Sequence, residues 1–196
     1  MRKIPREYEN PIDNINLDFA EFICPYFKAL NLTPNDLTTI SFIFGLLSVY
    51  FLSTYKMFLF GITLYISYLF DCFDGHYARK YDMVTTFGDI YDHVKDAIVI
   101  VLLIYVCLYR YNVNSKIRTI FISILIISTI LTTAAVGCQE HIYNKNESQS
   151  LTFTKLFAPS NCKENIHYTK MFGCGTFYII FIVLCIFLNY HKKSQI

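Results

Sequence analysis

Charge is what this chain has least of. Charged residues are 16% of the sequence, where soluble domains carry roughly 25%, and hydrophobic residues make up 54%. Gathered into several long apolar runs, that composition belongs to an integral membrane protein. The 196 residues allow one domain or a small bundle, without a second independent core. Basic excess is also lacking. A net charge of +2, with no basic run longer than two residues, is too slight to suggest a nucleic-acid partner, and none is expected. The seven cysteines are odd in number and scattered through apolar segments, with no C-x-x-C pair and no disulfide spacing. They are expected to be small packing residues. No calcium-loop pattern and no His/Cys cluster for zinc is present. Internal repeats of the kind that carriers show are missing too. The first thirty residues hold Pro5, Pro11 and several acids, unlike a cleavable signal peptide.

What is present is a series of apolar runs. Residues 1–36 are polar to amphipathic, and Ile15, Leu17, Phe19, Phe22, Ile23, Tyr26 and Phe27 predict a short helix over 14–28 lying along the membrane surface. Thr33 suits an N-cap and Pro34 a first helical position, so a span starts there and runs to about Tyr55. Further spans are expected at 57–73, 87–109, 117–136 and 171–190, with a polar connection at 75–86 and an irregular stretch at 138–170 that turns at Pro159-Ser160-Asn161. The patch near Leu151 is too short for a sixth span. The predicted fold is all-α: a polytopic transmembrane helical bundle of five spans with an interfacial amphipathic helix before it. Residues 1–36 form the N-terminal segment, 37–190 the membrane domain and 191–196 a basic tail. Ten basic residues (Arg2, Lys3, Arg6, Lys28, Arg79, Lys80, Lys145, Lys155, Lys163, Lys170) share the side of residues 1–36, against six opposite. That lean places the N-terminal side in the cytoplasm and leaves the glycosylation-like triplets at Asn31 and Asn146 idle.

The acids are not spread evenly. Six of the fifteen (Asp71, Asp74, Asp82, Asp89, Asp92, Asp96) fall within twenty-six positions, flanked by apolar runs. Asp71 and Asp74 share one helix face and Asp92 and Asp96 another, and a short connection brings the two helix ends together. Four converging carboxylates cannot all stay ionised without cations. Hard divalent ions, magnesium or manganese, match such oxygen ligands. Gly75 and Gly88 permit close approach to the backbone, and Arg79 is shaped to hold a phosphate. Together these residues point to a metal-bound phosphate or diphosphate. Asp82 and Asp89 read as solvated helix ends, Lys95 and Lys80 as local countercharges, and His76 and His93 as polar neighbours. Glu140 and His141 are candidates for an acceptor pocket.

Asp71-x-x-Asp74-Gly75-x-x-Ala78-Arg79, eight residues, then Gly88-x-x-x-Asp92-x-x-x-Asp96 resembles the CDP-alcohol phosphatidyltransferase signature at all eight of its set positions. Pro34-Asn35-x-Leu37-Thr38 is similar to that family's weaker amino-terminal element. The resemblance implies transfer of a phosphatidyl-type group from a CDP-linked lipid or CDP-alcohol to an alcohol, with release of CMP. By position, Asp71, Asp74 and Asp92 would hold two metal ions, and Asp96 would act as base and touch the second. Gly75, Ala78 and Gly88 would make room for cytidine, Arg79 would grip the phosphates, and Asn35 and Thr38 would add polar contacts. Members of the family usually have six spans and tend to form homodimers. Gly75-His76 with Thr86-Phe87-Gly88 resembles the inositol-using branch and Asp92-His93 the choline- and ethanolamine-using branch, so the acceptor stays open. Two rivals remain: a membrane prenyltransferase, which would need two separated acidic motifs, and a divalent-cation carrier, which would place acids near the bilayer midplane.

Overall fold

Each helix begins or ends where the chain offers a local reason. The computed structural model describes residues 2–143 and 152–193; Lys145, the Asn146 triplet and Leu151 lie outside them. The helices are α1 (Pro11–Ala29), α2 (Pro34–Ser53), α3 (Met57–Lys80), α4 (Thr86–Tyr109), α5 (Ser115–Tyr143), α6 (Cys162–Thr169) and α7 (Cys174–Lys193), with no strand among the described residues. At the start of α2 the Thr33 hydroxyl accepts the Asp36 N–H at 3.3 Å and the Asp36 carboxylate accepts the Thr33 N–H at 2.7 Å. That reciprocal cap, with Pro34 behind it, pins where the chain turns into helix. Asn31, Tyr55 and Asp82 close α1, α2 and α3 in left-handed conformations, with φ of 55°, 60° and 55°. Asp82 is therefore a helix stop, as a solvated end should be.

Small residues let the central helices approach. Ser41 on α2 and Ser67 on α3 each donate a hydroxyl to the other's carbonyl at 2.8 Å. Gly45, one turn on, faces α4 so closely that a Cβ there would meet Val99 Cγ2 at 2.7 Å. α2 thus packs against both α3 and α4, while α5 and α3 pack on α7. The end away from the acids is filled by an apolar core that includes Leu52, Phe60, Leu103, Phe121 and Leu188.

Among the described residues, four stretches are long and apolar enough to cross a membrane: α2, α3, α5 and Cys162–Lys192, which takes in nearly all of α7. The chain is a helical membrane bundle. α4, expected as a fifth span, is as long as α3, but Asp89, Asp92, Lys95 and Asp96 occupy its first three turns. Three other boundaries move. α3 continues through Lys80, so Gly75 lies inside a helix rather than at its end. α5 runs on to Tyr143, and the stretch expected to be irregular also holds α6. The cysteines need a correction as well. Cys138 at the end of α5 and Cys162 at the start of α6 form a disulfide, their Cα atoms 5.1 Å apart. The turn before α6 folds the chain back across 24 residues, a return that no local spacing encodes.

The N-terminal helix exists, at Pro11–Ala29, but it is apolar on two faces. Ala20 and Cys24 are buried against Leu37, Phe73 and Tyr77, and Leu17 is buried at the cavity. Ile15, Phe19, Phe22 and Tyr26 stay exposed along the other side. Glu21 anchors the helix to α3, taking His76 Nε2 at 2.6 Å and Lys80 Nζ at 2.6 Å. Lys80 and His76 therefore serve this tie and not the acidic cluster.

Candidate active site

The acids meet because α3 and α4 bring their charged ends together. Thr85 caps α4 by accepting the Gly88 N–H at 3.0 Å, which turns the first acidic turns of α4 toward α3. Asp71, Asp74 and Asp92 each offer one carboxylate oxygen, and the three oxygens lie within 4.8 Å of one another. Asp92 Oδ1 is buried, takes no hydrogen bond from the described residues and lies 3.3 Å from the Lys95 ammonium. Three carboxylate oxygens at this spacing fit a hard divalent cation. Thr38 steadies Asp74 from α2, its hydroxyl donating to Oδ2 at 2.6 Å.

Asp96 stands beside this set through Lys95. The Lys95 side chain is 2% exposed, and its ammonium lies 2.9 Å from Asp96, 3.3 Å from Asp92 and 2.8 Å from the Ser41 hydroxyl, and also pairs with Asp71. The countercharge expected of Lys95 is thus placed among three carboxylates. Such burial is tolerable only because every face of the ammonium finds an acceptor.

All eight signature positions, with Asn35 and Thr38, line one cavity of about 430 Å³. Two glycines shape it. A Cβ on Gly75 would press on the terminal nitrogens of Arg79 at 3.3 Å, and one on Gly88 would meet Asn35 Oδ1 and Thr85 Oγ1 at 3.1 Å. The bare backbone at Gly75 lets the guanidinium lie against the helix. Asp89 and His93 also line the cavity, with His93 Nδ1 2.6 Å from the Asp89 carbonyl. Glu140 lines it too; His141 is exposed outside it.

Sequence reasoning missed part of the wall. Lys3, Glu9 and Asp13 reach the cavity from the N-terminal segment, and Gln139 joins Glu140 from α5. Lys3 pairs with Glu140. Burial, with Asp13 beside it, pushes the Glu9 carboxyl up to about 7, and burial raises Asp13 to about 6. Two acids four apart at the entry to an amphipathic helix were the signal available, and nothing local says which way they face.

A bundle of apolar helices whose polar side chains converge on one end, around oxygens spaced for a cation, defines an integral membrane protein that handles a polar group at the end of its helices. The family model for CDP-alcohol phosphatidyltransferase matches residues 31–192, and the chain belongs to that family, a membrane transferase of substituted phosphate groups. No curated protein and no solved structure matches it.

Proposed function

We propose that this protein moves a phosphatidyl-type group from a CDP-linked donor to an alcohol and releases CMP, with Asp96 as the base. The observation that carries the reading is the single cavity into which all eight signature positions open. Asp71, Asp74 and Asp92 would hold magnesium or manganese, with Asp96 at a second ion. A bound cation of this kind supplies positive charge against the diphosphate and eases the departure of CMP. Arg79 holds the phosphate oxygens, and Gly75, Ala78 and Gly88 leave room for the cytidine. Asn35 and Thr38 add polar contacts from the first turn of α2. As the acceptor oxygen bonds to phosphorus, the bond from phosphorus to the CMP oxygen breaks, and the hydroxyl proton passes to the Asp96 carboxylate. Lys95 keeps Asp96 oriented for that transfer.

α4 serves as the fifth crossing in this reading, its acidic turns at the membrane edge and its apolar remainder inside. The lean of basic residues, Arg79, Lys80 and the N-terminal segment among them, supports a cytoplasmic side for the site. A second copy of the chain would cover the exposed apolar flanks as a homodimer. The test is purified protein in lipid with a CDP-linked donor, an alcohol panel and magnesium or manganese, with CMP release measured. CMP must appear and must vanish on chelation. Cation uptake into vesicles without CMP formation would instead establish a carrier.

A further inference from the structure

The cavity has a second wall that the signature does not supply. It comes from the N-terminal segment, α1 and α5, through Glu9, Asp13, Gln139 and Glu140, with Lys3. Glu140 is 3% exposed; one carboxylate oxygen takes the Lys3 ammonium and the other, Oε2, is buried with no hydrogen-bond partner among the described residues. A buried acceptor in that condition calls for a donor from a ligand. Its neighbours are acceptors as well. Asp13 receives the Tyr68 hydroxyl, and Glu9 receives the Asn10 N–H at 3.1 Å and the Gln139 amide at 3.3 Å. Three carboxylates share this wall with one ammonium, and that ammonium is bound to Glu140.

Charge and shape then restrict what can sit here. A phosphate monoester would bring a dianion against acids that already crowd one another, whereas hydroxyl or ammonium groups would supply the missing donors. Ile4, Leu17 and Val136 line the same side, but an acyl chain laid there would leave the carboxylates among them without donors. We infer that this wall is the acceptor subsite, and that the acceptor is a small water-soluble alcohol carrying hydroxyl or ammonium donors and no phosphate. The lipid chains of the reaction accordingly enter on the CDP-linked donor. This assignment rests on the transfer reaction proposed above. The acceptor's own hydroxyl oxygen makes the new bond to phosphorus and loses its proton to Asp96, while CMP leaves with the electron pair of the broken bond.

The experiment uses the full chain in lipid discs with magnesium, CDP-diacylglycerol as donor, and inositol, ethanolamine, serine or glycerol 3-phosphate as acceptor, reading CMP release. The expected result is turnover with inositol or with an amino alcohol at least about tenfold above that with glycerol 3-phosphate, and the favoured arm separates polyol from ammonium recognition. Glu140→Gln, nearly isosteric, is expected to raise the KM of the favoured acceptor about tenfold while the KM for CDP-diacylglycerol stays within about twofold. Asp13→Asn is the second variant, with the same expected split, and an unchanged donor KM shows that each variant is folded. Preference for glycerol 3-phosphate overturns the assignment, as does transfer from CDP-choline to diacylglycerol or a loss in both variants that spares the acceptor KM. In each of those outcomes CMP is still formed, so the transfer reading survives. Absence of CMP with every donor and acceptor overturns both.

Discussion

At the scale of single residues, Lys95 and Asp96 are neighbours with different duties. Lys95 holds Asp71, Asp92 and Asp96 around one buried ammonium. Replacing it by methionine keeps the length and removes the charge, leaving those acids to repel one another. Lys95→Met should lower stability by roughly 3–5 kcal/mol, and magnesium should return part of the loss. Thermal unfolding in detergent with and without the ion measures both, and a variant as stable as the parent would show the ammonium to be dispensable. Asp96→Asn removes a proton acceptor of the same size. Its kcat should fall about 10²–10⁴-fold while CDP-donor affinity changes less than about threefold. Joint loss of rate and binding would make Asp96 a structural residue. Both side chains sit in a readable block, and the role proposed for Asp96 rests on its place in the family signature. That Lys95 also reaches Asp71 follows only from the approach of α3 to α4.

Among the elements, α2 sets the spacing of the site. It lies against α3 through Ser41 and Ser67 and against α4 through Gly45, so it governs how far Asp71 stands from Asp92. Leucine at position 45 would push Val99 and α4 outward. Gly45→Leu should destabilise by about 1–3 kcal/mol and weaken manganese binding, although position 45 belongs to neither motif. Melting and paramagnetic titration of manganese check this, and unchanged metal affinity would mean that α4 is positioned otherwise. Most starts and stops of α2 were legible, because caps and prolines are local. The extension of α3 through Gly75 was not, since glycine weakens a helix only modestly and packing overrides it. α6 and the Cys138–Cys162 bridge were hidden for a related reason: they depend on contacts with α5 rather than on their own pattern.

Taken as a whole molecule, the N-terminal segment is a polar cap folded onto an apolar bundle. Arg2 and Arg6 fasten it to Asp18 at 2.5 and 2.8 Å, and Glu9 and Asp13 are carried inward. Both inward acids have folded-state pKa values raised above the ordinary carboxylate range, to about 7 and about 6. The docked cap therefore binds more protons than the released one, and its docking is firmest below the ordinary carboxylate range. That contribution is lost as pH rises through about 6 to 7. Hydrogen exchange of backbone amides 2–13, corrected for intrinsic rates, should quicken between about pH 5 and pH 8 more than that of α2. Equal protection across that window would mean that the two acids are not buried together.

The sequence by itself determined the membrane class, the capped start of α2, the acidic block and the family to which it belongs, because hydropathy, caps and helical spacing act over a few residues. Tertiary structure alone decided that Lys95 sits among the acids, that Cys138 meets Cys162, and that Glu9, Asp13 and Glu140 complete the cavity. Asp71 and Lys95, Cys138 and Cys162, and Asp13 and Glu140 each lie on different helices, and only the packing of those helices brings them within reach of one another.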